Sequence, residues 1–277
     1  MVFVSWQDTY NTWKNQATLE TSLKQELTGM AGDDAALEDA FYEPMEFGTA
    51  GMRGVLGPGI NRMNIYTVRQ ATEGLARFMD TLPAEVKERG VAISFDSRHH
   101  SEDFAHESAR VLGQHGIKSY VFESLRPTPE LSFTVRHLHT YAGIMITASH
   151  NPKQYNGYKI YGEDGGQMPP KESDLITSYI RKVDDVFAIA VADEQQLLAD
   201  KTETIIGDDV DQDYLAKVKE VTINQKLVDE VGKDMKLVFT PLHGTGRMLG
   251  EKALKNAGFK NFSVVKEQAV ALSLIHI

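Results

Sequence analysis

The sequence predicts an α/β layered fold, with helices packed over a mixed or parallel sheet, and three observations carry that expectation. Short apolar runs, such as residues 91–95 and 142–147, read as buried strands. A polar loop and then a segment of helical periodicity follow, so that strand, loop and helix alternate from residue 91 onward. Capping residues and prolines stand where the helices should begin.

In chain order, residues 5–30 place Trp6, Tyr10, Trp13, Ala17, Leu23 and Leu27 along one stripe, which predicts an amphipathic helix. The polar stretch 29–34 breaks it, and Asp33 or Asp34 can cap a short helix beyond. Residues 47–59 form a glycine-rich loop. Asn64 then caps a helix whose buried face is Ile65, Val68, Thr72, Leu75 and Met79. After the strand at 91–95 and a polar loop at 96–100, Ser101 caps a helix running to about His115 and closed by Gly116. Residues 118–123 form the next strand, and Thr128-Pro129 opens a helix with proline at its first position. The strand at 142–147 ends in Ser149-His150-Asn151-Pro152, where Asn-Pro stops regular structure, and residues 157–161 return as a second strand.

A polar, acidic stretch at 171–207 contains helices and leads out of this unit. The expected boundary lies near residue 205, giving a first domain at 1–205 and a second at 206–277. The second has a helical region at 211–233, a strand at 236–240, a loop at 241–246, a helix at 247–256 and a strand at 262–265. That is too little apolar surface for a stable core of its own.

Composition narrows the class. The chain has 277 residues, 42% of them hydrophobic and 25% charged, the proportions of a soluble globular protein. Net charge is 29 − 39 = −10, which argues against a sequence-independent nucleic-acid binder but leaves room for a local basic pocket. Cysteine is absent, so disulfides, thiolate metal sites and cysteine nucleophiles are absent too. Residues 1–8 lack the basic and apolar regions of a signal peptide, and no stretch approaches a membrane span. The default expectation is a cytoplasmic enzyme of small-molecule metabolism, with no nucleic-acid or membrane partner.

Most informative is Thr147-Ala148-Ser149-His150-Asn151-Pro152, followed by Asn156-Gly157-Tyr158-Lys159-Ile160. Open α/β sheets bind ligands at the carboxyl ends of strands, which is where Ser149 should sit. A hydroxyl, an imidazole and an ammonium in one loop-and-strand unit fit phosphoryl or acyl transfer. Neighbours on an extended segment point to opposite faces, so His150 need not be the base for Ser149. Lys159 is the better contact for a substrate oxygen or phosphate. The plain alternatives are a turn satisfied by its own side chains, a loop histidine bonded to backbone and a solvated strand lysine. Residues 48–59 could let backbone N–H groups approach an anion, although neither a P-loop nor a dinucleotide fingerprint is present.

The long pattern T-A-S-H-N-P with N-G-Y-K-I resembles the active-site serine loop of the α-D-phosphohexomutases. G-T-A-G-M-R-G and the long amino-terminal extension favour the phosphoglucomutase branch. The resemblance extends from roughly residue 5 to residue 268. It implies a layered mixed sheet with helices on both faces, one family domain followed by the start of a similar second one. It implies that phosphorylated Ser149 donates to a sugar phosphate, passing through a 1,6-bisphosphate and interconverting glucose 1-phosphate and glucose 6-phosphate. His150 and Lys159 join Ser149 as catalytic residues. It implies further that Thr49, Arg53, Arg98 and Asn151 bind substrate or phosphate, that Mg²⁺ binds the phosphate of Ser149, and that glucose 1,6-bisphosphate is the activator. For Arg98 the alternative is an Asp96–Arg98 pair that pins a turn. No role is assigned to Arg126 in the loop before the Thr128 helix.

The family's metal loop, Asp-x-Asp-x-Asp-Arg, does not occur in this sequence, and Asp208-Asp209-Val210-Asp211 reads as part of a linker rather than a substitute. The apolar residues 269–277 depart from the family's polar continuation, with a genuine final strand as the alternative. The expectation is therefore the amino-terminal half of a phosphoglucomutase, incomplete before the metal loop and inactive alone. Competing readings are a non-catalytic sugar-phosphate binding or interaction module and a phosphomannomutase or phosphopentomutase of the same family. A serine hydrolase ranks below these, because Gly-x-Ser-x-Gly is missing.

Overall fold

The computed structural model describes residues 5–48, 51–242 and 244–269. Three helices, α1 (Trp6–Asn15), α2 (Thr21–Gly29) and α3 (Asp34–Phe41), lead to strand β1 (Met52–Val55). Then come α4 (Ile65–Met79), α5 (Ala84–Arg89), β2 (Val91–Phe95), α6 (Ser101–Gln114), β3 (Ser119–Phe122), α7 (Thr128–His137), β4 (Ala142–Ile146), β5 (Tyr155–Tyr161) and α8 (Pro170–Ile180). The remainder holds α9 (Glu194–Asp200), β6 (Glu203–Ile206), α10 (Asp208–Glu220), α11 (Gln225–Val231), β7 (Leu237–Phe239), α12 (Arg247–Ala257) and β8 (Phe262–Val264).

Six strands form one sheet in the order β1-β5-β4-β2-β3-β6. β4, β2, β3 and β6 run parallel, while β5 is antiparallel to both β4 and β1. The sheet is mixed, as expected. One face carries Val91, Ile93, Ile144, Ile146, Tyr158 and Ile160 against apolar residues of α4, α6 and α8. The other carries Ala92, Met145 and Tyr161 against Leu131 and Val135 of α7. Because β2 and β4 are covered on both sides, they read as apolar runs, interrupted in β2 by Ser94, whose hydroxyl donates to the Arg126 carbonyl. The expected boundary after residue 205 falls inside β6, which pairs with β3, and β7 and β8 form a separate two-stranded parallel sheet.

Several local expectations give way to tertiary contacts. Residues 5–30 form two helices, not one. Between them, Tyr66 Oη accepts from the backbone N–H of Glu20 at 3.0 Å and donates to the carbonyl of Thr18 at 3.0 Å. These bonds take backbone groups that a continuous helix would use, so Ala17 faces out and Leu19 is buried instead. Trp13 anchors the cluster, edge-on to Phe41, Tyr66 and Phe187. Asp33 and Asn64 cap α3 and α4 as predicted. Ser101 does not cap α6. His100, at φ 62°, is the N-cap, and the Ser101 hydroxyl is used elsewhere.

Met52–Val55 is an edge strand, and Gly48 and Gly51 bond each other's backbone. Gly51 has φ +127°, and a Cβ there would stand 2.0 Å from the carbonyl oxygen of Tyr158. Glycine at this position lets β1 approach β5.

Asp208–Asp211 is not a linker but the first turn of α10, where carboxylates complement the helix dipole. Asp211 turns inward to accept from Arg126 Nε at 2.7 Å and Nη2 at 3.2 Å, both residues being fully buried. Lys252 of α12 donates to Asp211 at 2.9 Å. Glu130 of α7 lies 3.8 Å from Arg126 Nε, its side chain fully buried. Burial, then the neighbouring Asp211 carboxylate, pushes Glu130 from its ordinary 4.5 up to about 8. The folded chain therefore holds that proton more tightly than the unfolded chain does. The stability this contributes is complete below pH 4.5 and is lost as pH rises through about 8. Glu130→Gln is expected to flatten the fall across that window, read as urea midpoints at a series of pH values.

Candidate active site

Ser149 lies just past the carboxyl end of β4, with its backbone at φ 57° in the left-handed region. An L-residue holds that conformation at a cost of about 1–3 kcal/mol unless its surroundings impose it. Here they do. The Ser149 N–H donates to Thr147 Oγ1 at 2.9 Å, and Thr147 Oγ1 donates to Asp96 Oδ2 at 2.6 Å. Asp96 Oδ1 accepts from the Ser101 hydroxyl at 2.9 Å and from the Arg98 N–H at 3.0 Å. Buried Asn156 on β5 donates to Ser101 Oγ and to the His99 carbonyl, both at 3.0 Å. The turn after β2 and the turn after β4 thus share one polar scaffold.

Arg98 completes it from beneath. Its Nη1 donates to the carbonyls of Pro152 and Tyr155, each at 2.9 Å, and its Nη2 to those of Ser149 at 2.9 Å and Asn151 at 2.6 Å. Its Nε lies 3.5 Å from Asp96 Oδ2. The residue is 8% exposed, so these bonds replace water. Arg98 and Asp96 do pin the turn, and the guanidinium spends its donors on the loop that carries Ser149.

Of the other predicted residues, His150, Asn151 and Arg53 meet at this loop and Lys159 lies on the neighbouring strand. His150 is exposed, and its Nδ1 stands 3.4 Å from Ser149 Oγ, because the left-handed turn undoes the alternation expected of an extended segment. Arg53, on β1 opposite Gly157, donates from Nη1 to Asn151 Oδ1 at 2.7 Å. Lys159 pairs with Met145 in register, on the face of the sheet that leads along β4 to Thr147. Burial and then the charge of Arg53 lower its pKa. Burial lowers that of Arg98, opposed by Asp96 and reinforced by Arg53. Thr49 lies outside the described residues, as do His243 and residues 270–277.

In a chain of net charge −10, Arg98 and Arg53 thus bond the loop that carries the exposed Ser149 hydroxyl, and Lys159 on the neighbouring strand feels the charge of Arg53. Ser149 opens onto a cavity of about 460 Å³ lined also by Ser97, Thr128, Met145, His150 and Thr245. Such a place suits an anion and a nucleophilic oxygen. Magnesium is served less well. The Asp96 carboxylate is occupied by Thr147, Ser101 and Arg98. Among the described residues, the cluster of His, Asp and Glu fit to hold a metal lies elsewhere. The residues round Ser149 do not by themselves offer the several oxygens that Mg²⁺ takes.

Sequence reasoning missed Thr147, Ser101 and Asn156 as scaffold residues. Their signal was faint: each is a short polar side chain beside an apolar run, as in many turns that close on themselves.

Residues 44–187 match the family profile described as phosphoglucomutase/phosphomannomutase, alpha/beta/alpha domain I. A phosphoglucomutase of Staphylococcus saprophyticus is 39% identical over 230 residues, covering 83% of this chain and 40% of that protein. One from Staphylococcus aureus strain N315 is 39% identical over 238 residues, covering 85% and 41%. The chain spans about two fifths of the length of these curated relatives. A solved structure from Thermus thermophilus, with phosphomannomutase as its suggested function, superposes with a TM-score of 0.63 at 26% identity. The match covers 83% of this chain and 47% of that one.

Proposed function

The chain belongs to the phosphoglucomutase/phosphomannomutase family, and from that premise we propose that it carries the phosphoserine centre of a phosphoglucomutase. The reaction would interconvert glucose 1-phosphate and glucose 6-phosphate. The observation that supports this most is the exposed Ser149 hydroxyl, held in a left-handed turn on a loop that Arg98 and Arg53 bond.

In the proposed step the bond between phosphorus and Ser149 Oγ breaks as a bond to a sugar hydroxyl forms. The hydroxyl proton passes to Lys159, whose lowered pKa makes its neutral amine more accessible. The Ser149 oxygen recovers a proton from the side of His150 Nδ1. Arg53, steered by Asn151, balances the phosphoryl charge, and Arg98 fixes the loop in line. The 1,6-bisphosphate then reorients and returns its other phosphoryl group to Ser149. Glucose 1,6-bisphosphate is accordingly the proposed activator and Mg²⁺ the proposed metal, with ligands beyond those described round Ser149. For that reason the chain alone is proposed to accept phosphate without sustained turnover. The likeness to the Thermus thermophilus structure supports mannose phosphates as the second substrate class.

The test is incubation of the 277-residue chain with glucose 1,6-bisphosphate, followed by intact-mass and peptide mass spectrometry. One phosphoryl group on Ser149 is expected, absent from Ser149→Ala. No uptake, or equal uptake by that variant, would favour a non-catalytic binding module. Competition between glucose and mannose phosphates for the phosphorylated chain distinguishes the sugars.

A further inference from the structure

The far edge of the sheet holds a second cluster, away from Ser149. Glu203 begins β6, the strand at the opposite edge from β1 and β5, and lies at its amino-terminal end. Its side chain is fully buried, yet neither carboxylate oxygen has a hydrogen-bond partner among the described residues. Both oxygens lie where a carboxylate is costly to leave unsatisfied. Facing it is His106 of α6, whose Nδ1 stands 3.4 Å from Glu203 Oε1 and 2.9 Å from Oε1 of Glu194, the first residue of α9. One ligand atom from each of the three residues lies within 4.8 Å of the others.

We propose that His106, Glu194 and Glu203 form a structural site for a borderline divalent cation such as zinc. Ligand atoms about 2.0–2.2 Å from zinc at tetrahedral angles stand about 3.3–3.5 Å apart. The His106–Glu203 separation already matches, and the His106–Glu194 separation needs a small widening of a half-exposed side chain. One imidazole and two carboxylates suit zinc, cobalt or manganese, with water in the remaining position. A cation is satisfied by proximity rather than by hydrogen-bond direction, so it would answer the buried Glu203 oxygens, which the 3.4 Å contact of Oε1 with His106 Nδ1 serves without a well-formed hydrogen bond. It would also tie α9 and β6 to α6, securing the last strand of the sheet.

The experiment is a Co²⁺ titration of the chelator-treated full chain, followed by visible d–d absorption and then displacement with Zn²⁺. One saturable ion per chain is expected, with affinity lowered at least tenfold in Glu203→Gln and in Glu194→Gln. The second variant changes a surface residue and keeps the comparison available if the first fails to fold. A wild-type chain with no saturable spectrum, or a folded Glu194→Gln variant with wild-type affinity and spectrum, would overturn the proposal. Uptake of phosphate at Ser149 has no part in this readout.

Discussion

Arg98→Ala is expected to lower both stability and phosphate uptake at Ser149, by more than the loss of one surface charge would. The guanidinium satisfies four carbonyls of the 149–155 loop and lies beside Asp96. Removing it strands those acceptors and leaves the Asp96 carboxylate without its cation. Charge-assisted bonds contribute about 1.5–3 kcal/mol apiece and are not additive, so a net loss of about 3–5 kcal/mol is the expected scale. The left-handed turn at Ser149 would relax to a cheaper conformation. A displacement of about 1 Å can lower a positioned reaction about 10²-fold, and phosphorylation of Ser149 should slow by that order. Arg98→Lys separates shape from charge, because an ammonium cannot reach four carbonyls from one planar fork. If Arg98→Lys takes phosphate at the wild-type rate, the guanidinium is a charge and not a clamp. Urea midpoints and the rate of phosphoryl uptake together decide it.

Arg126→Met is the second large effect, and it acts on stability alone. Arg126 is fully buried and joins the loop before α7 to Asp211 of α10, with Glu130 close by. Its loss leaves Asp211 with Lys252 as its remaining cation. Breaking one side of a buried pair costs about 3–5 kcal/mol, chiefly through the unpaired partner. Combining Arg126→Met with Glu130→Leu and Asp211→Leu should recover much of that loss, since no fully buried charge is then left behind and Lys252 keeps Asp208 as its partner. A single variant as stable as wild type in urea, or a triple variant no better than the single, would contradict this account.

Both clamps bear on how much of the molecule was legible beforehand. The strands at 91–95 and 142–146 were readable because residues covered on both faces are nearly all apolar, a pattern visible within five residues. The caps at Asp33 and Asn64 were readable because a cap bonds within its own first turn. Ser149, His150, Asn151 and Lys159 stood out as chemistry-bearing residues, and the loop-and-strand unit that carries them forms as expected.

What escaped was decided by partners far away in the chain. Tyr66 splits the amino-terminal helix from 46 residues away. Arg126 finds Asp211 across 85 residues and makes a buried ion pair of an apparent linker. Arg98 finds the carbonyls of Pro152 and Tyr155 across 54 and 57 residues, which gives a guanidinium the task of holding a loop. By itself the sequence determined where the strands at 91–95 and 142–146 and the caps at Asp33 and Asn64 lie, since those depend on neighbours within a turn or a pleat. The tertiary structure alone decided the left-handed backbone at Ser149, the meeting of Arg53 with Asn151 and the burial of Glu203. Each depends on which distant backbone or charge fills the space, and local propensity carries no information about that.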